Sequence, residues 1–223
     1  MRANYEKIVI ISGGSINDTF AIAWINAYQP EYIIVADSGM EFVKRAALVP
    51  DMVIGDFDSV AVETLEFFRT ECIQKGVIWK KLNPIKADTD TEFAIRQAIA
   101  LGTKEISILG GTGTRLDHVL GNMALLGIGL EDGISIQLID VHNRIRMIDK
   151  SLQLRKDKQF GNMVSLIPYF GEVKGLTLKG FKYPLKDFTM GGFSSLGISN
   201  EIVDEVAEIF FNEGYLIVIE SRD

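Results

Sequence analysis

The sequence predicts an α/β protein in two parts: an N-terminal three-layer α/β/α domain with a mainly parallel sheet, then a C-terminal antiparallel β domain that is a sandwich or a barrel. Over the first 130 or so residues, short runs rich in Ile and Val alternate with longer segments of helical periodicity. This alternation is typical of a parallel sheet with crossover helices. After residue 133 the runs are short, mostly alternating, and separated by Gly, Asn or Pro. We therefore place the domains at 1–133 and 134–223.

Each predicted strand of the first part is a short apolar run, and the five runs cover 7–11, 32–36, 52–54, 77–80 and 105–109. The runs are apolar on both faces, which is typical of buried parallel strands. Between and after them, apolar residues recur with helical spacing. This spacing predicts helices over 18–27, 41–48, 62–74, 91–101 and 119–130.

Turn residues separate the predicted strands of the second part, which cover 135–140, 144–148, 163–168 and 176–178. Alternating apolar residues between such turns predict antiparallel strands. At the end of the chain, Gly214 lies between two apolar segments, 203–211 and 215–220, and we interpret the pair as a hairpin. Helical spacing of Val203, Val206 and Ile209 is the competing signal.

Composition excludes several classes of protein. The 223 residues are 47% hydrophobic and 24% charged, as in a folded globular protein rather than a disordered chain. The net charge of −7 argues against nucleic acid or an anionic membrane as the main partner, because both attract a basic surface. No stretch free of Asp, Glu, Lys and Arg exceeds 13 residues, whereas a membrane span needs about 20 apolar residues.

Cysteine and histidine usage points to the cytoplasm. The single cysteine, Cys72, cannot form an intrachain disulfide, and one thiol with two histidines offers no zinc site. The N-terminal segment leads into only a short apolar run, 8–11, so we expect no secretory signal. A reducing, cytoplasmic location is therefore expected.

Aspartates follow four of the five predicted strands of the first part, at Asp37, Asp56, Asp58, Asp88, Asp90 and Asp117. The loops after parallel strands emerge at one edge of the sheet, where such folds bind ligands. Two carboxylates 4 Å apart repel by about 4 kcal/mol at an effective dielectric of about 20. A divalent cation would neutralise them, and an all-oxygen ligand set suits Mg²⁺.

Glycines lie beside these aspartates, at Gly39, Gly110, Gly111 and Gly113. Glycine-rich loops let backbone amides approach phosphate oxygens, and helix N-termini favour anions. Aspartates and glycines together therefore indicate metal-assisted phosphoryl-type transfer from a nucleotide.

Structural roles compete with this interpretation at several positions. Asp37 could simply open a turn, and Asp117 could cap the helix that follows it. Thr89 and Glu92 form a capping box, so Asp90 could merely complement a helix dipole. Asp56 and Asp58 flank a phenylalanine directly after a buried strand, and there the functional interpretation leads. His118 is more often a structural residue than a general base.

The order and spacing of these motifs resemble the bacterial type of thiamin pyrophosphokinase over nearly the whole chain. The matching segments are Asp37-Ser38-Gly39, Gly55-Asp56-Phe57-Asp58-Ser59, Thr89-Asp90-Thr91-Glu92, Gly110-Gly111-x-Gly113-x-Arg115-x-Asp117-His118 and Gly197-Ile198-Ser199-Asn200-Glu201. Ser38 stands where the family commonly has Gly, and Ala87 stands where it tends to have Asp or Gln.

The resemblance implies an enzyme that transfers the pyrophosphate of ATP to the hydroxyl of thiamin and releases AMP. It implies a homodimer with an α/β nucleotide-binding domain, a β-sandwich domain, and a thiamin pocket at the subunit interface. By resemblance, Asp56, Asp58 and Asp90 would hold Mg²⁺ and the triphosphate. Asp37 and Asp117 would complete the acidic pocket, and Arg115 would contact phosphates. Ser199 and Asn200 would lie in the thiamin-binding segment.

Two other functions compete with this one. The segment Gly55-Asp56-Phe57-Asp58 also looks like the motif of haloacid-dehalogenase-type phosphatases, in which Asp56 would be the nucleophile. Alternatively, the glycine run at 110–113 could serve a non-catalytic nucleotide-binding module. Such a module would leave the acidic positions unexplained.

Overall fold

The structure, a computed structural model, describes residues 5–71, 76–83 and 88–223. Cys72 and Ala87 lie outside these ranges. Internal contacts divide the chain into two units, Met1–Val141 and His142–Asp223. Within the described residues, no helix combines the length and apolarity that crossing a bilayer requires.

Parallel strands form the sheet of the first unit: β1 (Lys7–Ile11), β2 (Tyr32–Ala36), β3 (Met52–Gly55), β4 (Ile78–Lys81), β5 (Glu105–Leu109) and β6 (Ser135–Ile139). Their order is β4-β3-β2-β1-β5-β6, and every neighbouring pair is parallel. The four central strands are buried almost throughout, as the apolar runs predicted. The predicted parallel sheet is confirmed.

Five helices connect these strands or follow them: α1 (Asp18–Tyr28), α2 (Gly39–Arg45), α3 (Val62–Glu71), α4 (Asp90–Ala100) and α5 (Leu116–Leu125). The chain adds β2, β3 and β4 on one side of β1, then crosses back to add β5 and β6 on the other side. Right-handed crossovers therefore place α1, α2 and α3 on one face and α4 and α5 on the opposite face. This is the predicted three-layer arrangement.

Two helices begin at caps that the sequence makes recognisable. The Asn17 side chain accepts a hydrogen bond from the Phe20 amide at the start of α1, and Thr89 does the same for the Glu92 amide at the start of α4. Each cap satisfies an amide that the first turn of a helix leaves without a partner. The Glu92 carboxylate forms an ion pair with Arg96 at 2.6 Å, one turn along α4.

One strand predicted to be antiparallel is not. The segment predicted at 135–140 forms β6, which pairs parallel with β5 from Ser135 to Leu138 and so extends the sheet of the first unit. The polar–apolar pattern misleads here because Gln137, which breaks the apolar run, is buried and donates a hydrogen bond to Ser107 Oγ of β5 at 2.7 Å. Four of the five residues of β6 are buried, as in the other parallel strands. The division between the units consequently falls after β6.

Antiparallel strands form the second unit: β7 (Asn143–Ile148), β8 (Leu152–Arg155), β9 (Met163–Lys179), β10 (Leu185–Met190), β11 (Val206–Phe210) and β12 (Glu213–Ser221). One sheet contains β7, β12 and the first part of β9, and the other contains β8, β11, β10 and the last part of β9. Buried residues of both sheets, including Leu166, Ile209 and Val218, share one core. This is a sandwich with one strand common to both sheets.

The long strand β9 replaces two strands that were predicted separately, at 163–168 and 176–178. Positive backbone φ angles at Phe170 (58°), Gly171 (135°) and Gly175 (71°) lie between its two halves. Such conformations bend a strand without ending it. The glycines that indicated a turn therefore mark the place where β9 passes from one sheet to the other.

The predicted C-terminal hairpin is wrong. β11 pairs with β8 and β9, whereas β12 pairs with β7 and β9, so the two consecutive strands belong to different sheets. Gly214 lies inside β12 with φ 113°, at a shift in its register with β9. A glycine inside a strand often marks a bulge. Gly214 therefore marks an irregularity within β12 and not the turn of a hairpin.

Candidate functional site

A cavity with a volume of about 430 Å³ lies at the carboxyl ends of the strands of the first unit. Its walls are the loops after β1, β2 and β5, Ser59 after β3, and the first turns of α4 and α5. The strand order reverses between β1 and β5, so this is the topological switch point at which doubly wound sheets bind ligands.

Two glycine-containing loops are joined to each other across the floor of the cavity. The Gly14 amide donates to the Gly110 carbonyl and the Ser15 amide to the Thr112 carbonyl, both at 2.8 Å. A Cβ on Gly14 would lie 2.4 Å from the Gly110 oxygen, so no other residue permits this approach. The predicted site residues Gly110, Gly111 and Gly113 all line the cavity.

Gly39 has a different environment from the other predicted glycines. It is buried at the start of α2 and is absent from the residues that line the cavity. A Cβ there would lie 2.3 Å from the Ile11 carbonyl oxygen at the end of β1. Gly39 therefore lets α2 approach β1, and its neighbour Ser38 is the residue that faces the cavity.

Three carboxylates meet beside this cavity. Oxygens of Asp37, Asp56 and Asp58 all lie within 4.8 Å of one another. Asp37 follows β2 directly, and Asp56 and Asp58 follow β3, the strand next to β2 in the sheet. The predicted convergence of acidic loops therefore occurs for these three residues, which are defined here as the acidic cluster.

Asp37 is the most constrained member of the acidic cluster. Its backbone has φ 46°, a left-handed conformation that Asp adopts more readily than most residues. Ser59 Oγ donates a hydrogen bond to Asp37 Oδ2. Asp37 Oδ1 is buried and, within the part of the chain that the structure describes, has no hydrogen-bond partner. A buried carboxylate oxygen without a donor is a place where a cation would be favourable.

Burial raises the pKa of Asp37, and the negative charges of Asp90 and Asp56 raise it further, while the Ser59 hydrogen bond opposes the shift. Among the described residues, no lysine or arginine forms an ion pair with the acidic cluster. The fold thus gathers negative charge without supplying positive charge, an arrangement that suits a bound divalent cation.

Asp90 lies in the same cavity but outside the cluster of three. It is the first residue of α4, behind the Thr89 cap. The family resemblance implies Asp90 as a metal ligand with Asp56 and Asp58; in the structure, Asp37 is the residue whose carboxylate oxygen lies within 4.8 Å of theirs. Asp90 instead presents its carboxylate to the cavity close enough to raise the pKa of Asp37.

Arg115 and Asp117 form an ion pair of their own. Arg115 Nη2 lies 2.6 Å from Asp117 Oδ2, and the two side chains are 69% and 65% exposed. This hydrogen bond lowers the pKa of Asp117 to about 2. Arg115 and His118 line the cavity, while Asp117 lines a neighbouring recess together with Glu92. Asp117 therefore does not join the acidic cluster.

The two predicted thiamin-binding residues lie in the second unit and differ in exposure. Ser199 is exposed and has φ 58°, and its amide donates to Ser165 Oγ at 3.0 Å. Asn200 is buried, and its side chain donates to the Tyr183 carbonyl and accepts from the Tyr183 amide. Asn200 thus fixes the adjacent strand connection, and Ser199 is the member of the pair that faces solvent.

Two polar residues that line the cavity were not among the predicted site residues. Ser59 donates to Asp37, and its place in the motif after β3 was the available signal. Asn122 donates to the Gly111 carbonyl at 2.7 Å and is buried beside the cavity. A polar residue within the otherwise apolar segment 119–130 was the signal for Asn122.

Comparison with known proteins gives a consistent family. Residues 25–138 match the catalytic domain of thiamin pyrophosphokinase, and residues 150–216 match its vitamin B1 binding domain. Thiamine pyrophosphokinase of Bacillus subtilis strain 168 is 33% identical over 221 residues, which are 98% of this chain and 100% of that protein.

Solved structures agree with these sequence matches. The crystal structure of thiamine pyrophosphokinase from Bacillus subtilis has a TM-score of 0.85 at 33% identity and covers 98% of this chain and 100% of that one. The crystal structure of thiamin pyrophosphokinase from Geobacillus thermodenitrificans has a TM-score of 0.84 at 29% identity, with coverage of 97% and 98%. The chain belongs to the thiamin pyrophosphokinase family.

Proposed function

We propose that the chain transfers the intact diphosphoryl group of ATP to the hydroxyl of thiamin, forming thiamin diphosphate and AMP. The observation that carries this proposal is the acidic cluster at the switch-point cavity, where three carboxylates lie within 4.8 Å of one another. The family to which the chain belongs supports this reaction, and the cavity beside the acidic cluster is where we propose that the substrates bind.

Asp37, Asp56 and Asp58 would hold the metal ion, which we propose to be Mg²⁺. Their ligand atoms are all carboxylate oxygens, and the buried Asp37 Oδ1 has no donor among the described residues. Such a donor set fits a hard divalent cation. Bound there, the ion would offset the negative charge of the nucleotide phosphates.

The residues around the cavity would bind and orient ATP. The loops after β1 and β5 are joined by two backbone hydrogen bonds, and the first turn of α4 lines the same cavity. Helix N-termini and close backbone amides favour phosphate oxygens. The Arg115 guanidinium, exposed at the rim, would contact phosphates and stabilise charge that develops during transfer.

The reaction needs an acceptor for one proton. The hydroxyl oxygen of thiamin forms a bond to the β-phosphorus, the bond from that phosphorus to the α,β-bridging oxygen breaks, and AMP leaves with the electron pair. We assign the hydroxyl proton to the Asp90 carboxylate, because Asp90 lines the cavity. Asp117 is less suited, because a carboxyl with a pKa of about 2 accepts protons poorly near neutral pH.

The acidic character of the cavity also favours thiamin itself. The thiazolium ring carries a permanent positive charge, and neighbouring carboxylates attract such a ligand. We further propose that the chain is a homodimer and that Ser199 contributes to the thiamin pocket, as the family resemblance implies. Sedimentation velocity tests the dimer directly, and a monomer at micromolar concentration would contradict it.

Product analysis tests the proposed activity. The chain is incubated with ATP, Mg²⁺ and thiamin, and AMP is resolved from ADP, with omission of thiamin and addition of EDTA as controls. Thiamin-dependent AMP is the expected product, whereas ADP would indicate an ordinary kinase. The phosphatase alternative with Asp56 as nucleophile has no support in the family matches; phosphate release from simple phosphomonoesters would revive it. ATP binding without turnover would indicate a non-catalytic module.

A further inference from the structure

The loop between Asp56 and Asp58 adopts an unusual backbone conformation. The intervening Phe57 has φ 67°, in the left-handed region, which a bulky side chain rarely occupies. The Asp58 amide donates to Asp56 Oδ1 at 3.1 Å, which closes an Asx turn over residues 56–58. This turn is what directs two carboxylates that are two residues apart toward the same place.

The Phe57 ring has a partner outside the turn. It packs edge-to-face on Trp79, with the ring centroids 5.4 Å apart and the planes at 64°. Trp79 belongs to β4 and lies opposite Val53 of β3, the strand from which the turn emerges. The aromatic contact therefore ties the turn to the neighbouring strand of the sheet.

Trp79 offers this contact through its ring rather than through its polar atom. Its Nε1 is buried and has no hydrogen-bond partner among the described residues. An indole held without a polar contact depends on packing for its position, and an edge-to-face neighbour is a favourable arrangement for it. Phe57 and Trp79 thus fix each other, and the strain at Phe57 persists because the surroundings hold it.

We infer that Phe57, anchored on Trp79, is a positioning residue that keeps the Asp56 and Asp58 carboxylates preorganised for the metal ion. The inference rests on the proposed function, because the ion is what these carboxylates would bind. Phe57 itself does not touch the reacting atoms in this scheme. Loss of the contact between Phe57 and Trp79 should weaken metal binding while leaving Asp90 and Arg115 in place.

Metal binding by variants of the full chain tests this role. The probe is Mn²⁺, and its dissociation constant is measured by electron paramagnetic resonance in the presence of α,β-methylene-ATP. Phe57→Asn keeps a residue that tolerates positive φ but removes the ring, and Trp79→Ala removes the platform. Because each substitution removes one aromatic pair, each variant should raise the dissociation constant for Mn²⁺ about fivefold to tenfold. Phe57→Tyr and Trp79→Phe should restore binding close to that of the unchanged chain.

Phe67→Ala is the matched control, because Phe67 also packs edge-to-face on a neighbour, Phe68, with centroids 5.5 Å apart but on α3. Its Mn²⁺ affinity should not change. In turnover assays, Phe57→Asn should raise the apparent KM for Mg²⁺ with kcat largely retained at saturating Mg²⁺. Unchanged Mn²⁺ affinity in folded Phe57→Asn would overturn the inference. Absence of Mn²⁺ binding by the unchanged chain would overturn the proposed function instead.

Discussion

Carboxylates in the two units are compensated in opposite ways. In the second unit, Glu220 is fully buried, and its two oxygens accept hydrogen bonds from Arg144 and Arg146 at 2.6 Å each. In the first unit, Asp37 lies in a cluster with two other carboxylates, and its side chain accepts a hydrogen bond from the Ser59 hydroxyl. Two arginines thus compensate the charge of Glu220, whereas within residues 5–71, 76–83 and 88–223 no lysine or arginine pairs with the acidic cluster.

This difference separates structural from functional acidic residues. Removing a carboxylate from water costs several kcal/mol, so a fold tolerates it only when something compensates the charge. Glu220 finds its compensation within the chain and needs no ligand. The acidic cluster finds none among the described residues, which is the property expected of a site completed by an external cation.

The largest expected effect is on catalysis. Asp37→Asn should reduce thiamin-dependent AMP formation by about a thousandfold or more, because it removes one of the carboxylates proposed to hold the ion. Rates at saturating ATP and thiamin provide the measurement. Asp157→Asn is the control, since Asp157 pairs with Arg155 on the exposed surface and its loss should leave the rate unchanged. Equal rates in both variants would show that the acidic cluster is not needed for catalysis.

A large loss of stability is expected when Glu220, the buried carboxylate of the second unit, is replaced. Glu220→Gln should lower the free energy of unfolding by about 3 kcal/mol, because it leaves two arginines without their shared counter-charge. Urea denaturation measures the change. Glu213→Gln is the matched control, because the Lys174–Glu213 pair is exposed and should contribute less than about 1 kcal/mol. A Glu220 variant as stable as its control would show that the arginines need no such partner.

Asp117→Asn should have a smaller effect on catalysis than Asp37→Asn. Asp117 forms an ion pair with Arg115, so its loss should mainly remove the carboxylate that orients the guanidinium toward phosphates and raise the KM for ATP by less than about tenfold. Its pKa lies at about 2, and the carboxyl is therefore ionised throughout the range from weakly acidic to neutral pH. The pH profile of kcat should consequently keep its shape. A lost acidic limb in this variant would instead identify Asp117 as the general base.

The smallest expected effect concerns pH and stability without metal. Burial raises the pKa of Asp37, so the folded state binds its proton more tightly than the unfolded state does. Stability should therefore fall as pH rises from the ordinary carboxyl pKa through the raised value. In EDTA, Asp37→Asn should thus be more stable than the unchanged chain at neutral pH, and the difference should shrink in acid. Thermal unfolding at several pH values checks the sign.

The sequence predicts the first unit well because its signals are local. The bounds of β1, β2 and β5 coincide with the predicted runs, since fully buried parallel strands are uninterrupted apolar segments. Convergence of acidic loops also follows from topology alone. Which carboxylates share one point does not, because it depends on the left-handed turns at Asp37 and Phe57.

The second unit is less predictable because its pairing is long-range. Gly214 indicated a turn, yet β11 and β12 diverge to different sheets. The burial and pairing of Glu220 could not be predicted either, because its partners Arg144 and Arg146 lie more than 70 residues away in the chain. Local residue patterns carry no information about which distant strand a segment will meet.

Strand β9 gives the second unit a further property. It hydrogen-bonds to β12 in one sheet and to β10 and β11 in the other. Displacing β9 from one sheet would therefore also break its hydrogen bonds in the other sheet. Within the second unit, β7 and β8 stand at opposite ends of the order β7-β12-β9-β11-β8, and their amide protons should therefore exchange with solvent through the same cooperative opening. A chain break between Phe170 and Gly171 would uncouple them into two openings of different free energy.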